Sequence, residues 1–69
     1  ADPVATPRDG DAVLMRVQGL WHVGVYFAQG EPWVLHALLN AGMVVAHRQR
    51  DLPAYGIKVE GFYRMRCDE

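Results

Sequence analysis

The sequence predicts a mainly β protein, a small antiparallel five-stranded meander or half-open barrel. Three observations point to it. The apolar runs are short and rich in β-branched and aromatic residues, Gly, Pro and Asn punctuate them at regular spacing, and the longest run alternates with a period of two. With 69 residues the chain makes one domain at most. A domain of that size buries only about 60% of the surface its unfolded chain exposes, so its stability margin is thin.

Residues 1–11 carry two Pro, one Gly and three Asp and read as an irregular N-terminal arm. A single β domain is expected over 12–65, with 66–69 as a flexible tail. The first strand is Ala12–Val17. A tight Gln18-Gly19-Leu20 connection leads to a second strand over 21–28. Gln29-Gly30-Glu31-Pro32 turns the chain into a third strand over 33–39. Leu35, Leu38 and Leu39 also fit a helical spacing, but Pro32 and Asn40-Ala41-Gly42 confine that segment to about two turns, which favours a strand. Asn40-Ala41-Gly42 is a hairpin loop, with Gly42 free to take a left-handed conformation. Met43–Arg48 is the fourth strand. A looser stretch over 49–56, containing Pro53, precedes a fifth strand over 57–65.

Composition narrows the function classes. Hydrophobic residues make up 51% of the chain and charged residues 22%, which is the balance of a folded domain. The net charge of −1 argues against a general nucleic-acid binder. His47-Arg48-Gln49-Arg50 is the one basic spot, and it reads as a solvated strand end. No apolar stretch approaches the ~20 residues that span a bilayer, and no signal peptide is visible. The chain starts at Ala1 rather than Met, so an initiator Met, a leader, a tag or a preceding half is expected to have been removed. Cys67 is the only cysteine, which excludes an intrachain disulfide and fits a reducing compartment.

Strand alternation divides residues 21–28 into two faces. Trp21, Val23, Val25 and Phe27 form an apolar set that is expected to line the core. His22, Gly24, Tyr26 and Ala28 form the opposite set. Gly is costly inside a strand and often marks close approach of another backbone or a ligand, so Gly24 and Tyr26 are candidate substrate contacts beside His22. In the third strand Val34, His36 and Leu38 share a face. If the two strands pair as a hairpin, His22 and His36 lie on one surface, with cross-strand Cβ atoms roughly 5 Å apart. One imidazole could then transfer a proton while the second fixes its tautomer. A metal site with His47 as a third nitrogen ligand is the weaker alternative, because there is no H-x-H pair and no companion cysteine. Neither a metal nor another cofactor is expected.

Gly10-Asp11-Ala12-Val13-Leu14-Met15, then His22-Val23-Gly24-Val25-Tyr26, then Val34-Leu35-His36-Ala37 resemble the C-terminal half of the NlpC-type cell-wall peptidases, papain-like cysteine hydrolases of bacterial peptidoglycan. The resemblance runs in order from about Gly10 to Met65. The ending, Leu52-Pro53-Ala54-Tyr55-Gly56 through Glu60-Gly61-Phe62-Tyr63-Arg64, is similar to versions found in phage tail-tip proteins, including those of prophages. The resemblance implies that His22 is the general base and His36 the residue that orients it. It also implies that the sheet is the β-half of a papain-like fold, whose histidine face packs on a helix bearing the nucleophile. The implied location is the bacterial cytoplasm during expression and the phage tail or cell envelope in function.

The chain departs from that pattern at one decisive point. The family's cysteine opens a helix upstream of the first strand, where this chain has eleven residues and no cysteine. Thr6 lies in the Pro-rich arm, and Cys67 follows the last strand. Without a thiolate the imidazole has nothing to activate. Two readings follow: a β-half of a peptidase that is inactive alone, or a non-catalytic β module that docks or assembles in a phage tail. The expected partners are a peptidoglycan stem peptide once a helical half completes the site, and that missing half or a second copy on the histidine face. There Gly24, Tyr26, Val34 and Leu38 would otherwise form an uncovered patch. No nucleic-acid partner is expected.

Overall fold

The computed structural model describes residues 1–38 and 42–66. It contains six strands, β1 (Asp2–Val4), β2 (Ala12–Val17), β3 (Leu20–Gln29), β4 (Glu31–Leu38), β5 (Met43–Arg48) and β6 (Ile57–Arg64), with a 3₁₀ helix, η1 (Gln49–Tyr55), between β5 and β6. They form one antiparallel sheet in the order β1-β6-β2-β3-β4-β5, which does not close into a barrel. The mainly β expectation is met, with six strands in place of five. Leu39, Asn40 and Ala41, and Cys67 with the rest of the tail after Arg66, lie outside the described residues.

Local chemistry explains the strand boundaries. β2 and β3 pair up to Val17↔Leu20, so Gln18 and Gly19 are the whole loop. Both have positive φ (51° and 80°), as the hairpin turn that matches strand twist requires. β4 is a strand, not a helix, and it begins two residues before Trp33. Pro32 sits opposite Ala28 but beyond the Trp33↔Arg48 end of the β5 pairing, so its missing N–H deprives no neighbouring strand. Gly42 has φ 63°, in the left-handed region.

The arm is not wholly irregular. Asp2–Val4 pairs with β6 through Asp2↔Arg64, Pro3↔Tyr63 and Val4↔Phe62. Pro3 is tolerated because β1 is an edge strand. Asp11, almost fully buried, anchors the rest of the arm. Its carboxylate accepts two bonds from Arg64, from Nε at 3.0 Å and Nη2 at 2.8 Å, and one from the Arg8 backbone N–H at 2.8 Å. The Arg64 bonds first, then the Arg8 N–H, hold this carboxyl below the ordinary value of 3.8.

The core lies on the opposite side of β3 from the one expected. Trp21 is 57% exposed and Val23 59% exposed, while Gly24 and Tyr26 are buried. The buried apolar residues are Val13, Met15, Tyr26, Val34, Leu52 and Ile57. All of the strand residues in that set share the histidine face, as the registers Met15↔His22, Val13↔Gly24, Gly24↔His36 and Tyr26↔Val34 require.

Topology explains the inversion. A chain leaving edge strand β5 must return to β6, four strand spacings away, or about 19 Å across a flat sheet. η1 nevertheless packs against β4, β5 and β6 at once, with Leu52 fully buried beneath it. The sheet therefore curls around η1, and Leu52 fills the concave side. The patch expected to be bare is thus filled: Val34 and Tyr26 are buried, and Leu38 alone is partly exposed.

A bulge completes the core. The β2–β6 register shifts between Leu14↔Gly61 and Met15↔Val59, leaving Glu60 as the extra residue. The shift lets Ile57 and Val59 face inward before it and Phe62 after it, so that Phe62 meets Tyr26 edge-on at 6.0 Å. No helix among the described residues is long and apolar enough to cross a membrane.

Candidate functional site

His22, His36 and His47 come from three adjacent strands, β3, β4 and β5, and all face the concave side. His36 sits opposite both Gly24 and Val45, each two residues from another histidine. That register sets the three rings in a diagonal row. His22 Nε2 lies 3.0 Å from His36 Nδ1, and His36 Nε2 lies 2.9 Å from His47 Nδ1. The first pair meets edge to face, with centroids 5.1 Å apart and planes at 87°. Tyr55, the last residue of η1, stacks on His47 with centroids 4.2 Å apart and planes at 22°.

The sequence expectation that His22 and His36 share a face within contact range is met. The sequence offers His47 only as a metal ligand or as part of a basic spot. Extending the period-two reading through the fourth strand would have found it, since His47 lies two residues from Val45, the partner of His36. The three rings bond one another in line instead of converging, and no group of three or more His, Cys, Asp or Glu among the described residues is placed to hold a metal ion. Tyr55 carries no sequence signal, because Pro53 makes residues 49–56 look like a loose segment.

The fold places Gly24 and Tyr26, the candidate substrate contacts, away from the cavity. Both are core residues and neither lines the cavity. Gly24 does mark a close approach, but of protein: a Cβ there would lie 2.8 Å from the Leu35 carbonyl oxygen and 2.8 Å from Val34 Cγ1. The cavity lies farther along the strands, where the three histidines, Tyr55 and Gln18 meet an apolar wall that includes Val17, Leu20, Leu38 and Ile57. Its volume is about 580 Å³, within the range of small-molecule sites. Among the described residues that line it there is no Ser, Thr or Cys.

His36 is the most enclosed of the three, 3% exposed. Burial first, then the charges that His22 and His47 could carry, push its pKa below the ordinary 6.5. Linkage gives the sign. As pH falls below 6.5 the unfolded chain takes up a proton at this residue and the folded chain does not. The stability tied to neutral His36 is present above 6.5 and is lost as pH falls toward the depressed folded value. Urea midpoints should therefore drop between about pH 7.5 and pH 5, and the drop should shrink in His36→Gln. An equal drop in both proteins would remove His36 as its cause.

Chemically, an imidazole that hydrogen-bonds through Nε2 and keeps Nδ1 free can take a proton from an acidic group brought beside it. No hydrogen bond reaches His22 Nδ1 among the described residues. A scan against protein-family models and searches of curated proteins and of solved structures return no match to this chain.

Proposed function

We propose that this chain is the β-half of a papain-like, NlpC-type peptidoglycan peptide hydrolase of the phage-tail kind, supplying the base His22 and the orienting residue His36. One observation carries the reading: the 3.0 Å bond from His22 Nε2 to His36 Nδ1, which leaves His22 Nδ1 free beside an open cavity. In this arrangement His36 holds the His22 ring, and Nδ1 draws the proton from a thiol. The thiol comes from outside the described residues, carried by a helical half that docks at the cavity mouth. A stem peptide then occupies the apolar wall.

The chain alone is inert on this reading, because none of the described residues lining the cavity is a Ser, Thr or Cys nucleophile. Incubation with peptidoglycan fragments, followed by mass analysis, should return the fragments intact. Cleavage at a single bond would mean that the chain carries its own nucleophile and would overturn this division of labour.

One feature favours a second reading, a non-catalytic docking module. The convex face presents Trp21, Val23, Val25, Leu35 and Val44 to solvent across three neighbouring strands. A contiguous apolar face of this kind marks an interaction surface. It lies opposite the histidines, so it can serve assembly whether or not His22 acts as a base.

A further inference from the structure

The two histidine contacts run in the same sense, Nε2 of one ring to Nδ1 of the next. That has a chemical consequence. A bond between two neutral imidazoles needs one N–H and one lone pair, and each neutral ring has one of each. If His36 carries its proton on Nε2, it donates to His47 Nδ1. Its own Nδ1 is then a lone pair that accepts from His22 Nε2–H, and His22 Nδ1 is left unprotonated. If His47 instead carries its proton on Nδ1, every ring reverses and His22 Nδ1 bears a hydrogen. Any mixed state loses at least one of the two bonds. The row thus has two coherent states, and the proton on His47 decides between them.

Ordinary imidazole chemistry chooses the first. A neutral histidine side chain in water favours the Nε2–H form, and that preference counts three times when three rings must agree. Tyr55 clamps His47 face to face and keeps its Nδ1 turned toward His36.

We propose that His47 is a positioning residue, which acts through His36 to keep His22 Nδ1 free of its proton. The inference rests on the base role proposed above for His22. Its physical content, the tautomer of His22, is measurable without a nucleophile or a substrate.

The test is nitrogen-15 NMR of the three imidazoles in the isolated chain at mildly alkaline pH. The wild-type chain should show Nε2–H on all three rings, with scalar coupling across both N–H···N contacts. A hydrogen on His22 Nδ1, or loss of either coupling, would overturn the proposal. Two variants then separate tautomer control from a structural role. His47→Asp places a group that only accepts beside His36 and should leave His22 Nδ1 bare. His47→Lys, which only donates when charged, should move the His22 hydrogen to Nδ1. The same His22 tautomer in both folded variants would also overturn it. Cleavage experiments bear on the hydrolase reading alone, so the two can fail separately.

Discussion

Gly24→Ala should destabilise the protein severely, although alanine normally outperforms glycine inside a strand. The added Cβ would stand 2.8 Å from the Leu35 carbonyl oxygen, 2.8 Å from Val34 Cγ1 and 2.9 Å from Met15 Cε. Met15 can bend aside, as methionine does. The Leu35 oxygen cannot, since it belongs to the backbone of the neighbouring β4. Overpacking of this kind costs about 1–3 kcal/mol, and more where backbone must move. A 69-residue domain holds roughly 3–10 kcal/mol in total, at the usual ~0.05–0.15 kcal/mol per residue. The urea midpoint of Gly24→Ala should fall sharply, and Gly24→Val should not fold. Because Gly24 sits opposite His36, any folded fraction should also show a disturbed His22–His36 contact. A midpoint at or above wild type would mean that β3 and β4 are not held this closely.

Leu52→Ala should cost about 2–5 kcal/mol, the range for emptying a fully buried leucine site. Leu52 is the one buried residue of η1 and the plug of the concave side. The loss should reach the histidines, because η1 also carries Tyr55 to His47. Thermal unfolding should shift well down, and the His47 ring signals should move with it. Leu20→Ala, at a site 73% exposed, is the control and should stay within about 0.5 kcal/mol. Equal effects of the two substitutions would show that η1 is not part of the core.

Legibility in the sequence followed the range of the interactions involved. Ala12–Val17 and Met43–Arg48 could be read to the residue, because β-branched runs and flanking turns mark both ends locally. The pairing of His22 with His36 was readable too, since period-two alternation and one hairpin place both rings. β1 was hidden by Pro3, which penalises any strand except an edge. The side of the core was hidden for a different reason. Alternation defines two faces, but only the path of η1 decides which is covered. Trp21 and Val23 are more apolar than His22 and Gly24, so hydropathy pointed the wrong way. The bulge at Glu60 flips parity within β6, a change that requires knowing the β2 register. The bond between His47 and His36 is not legible in the sequence because Arg48 and Arg50 beside His47 suggest a solvated strand end.

The central claim is that His22 is a base poised over the cavity. Leu38 faces the same cavity, at the end of β4, and can carry a thiol there. In a Cys67→Ser background, the alkylation rate of Leu38→Cys measured against pH reports the pKa of that thiol. Beside a competent His22 it should titrate clearly below the ordinary value of about 8.5, and His22→Phe should return it there. Identical titrations with and without His22 would contradict the account.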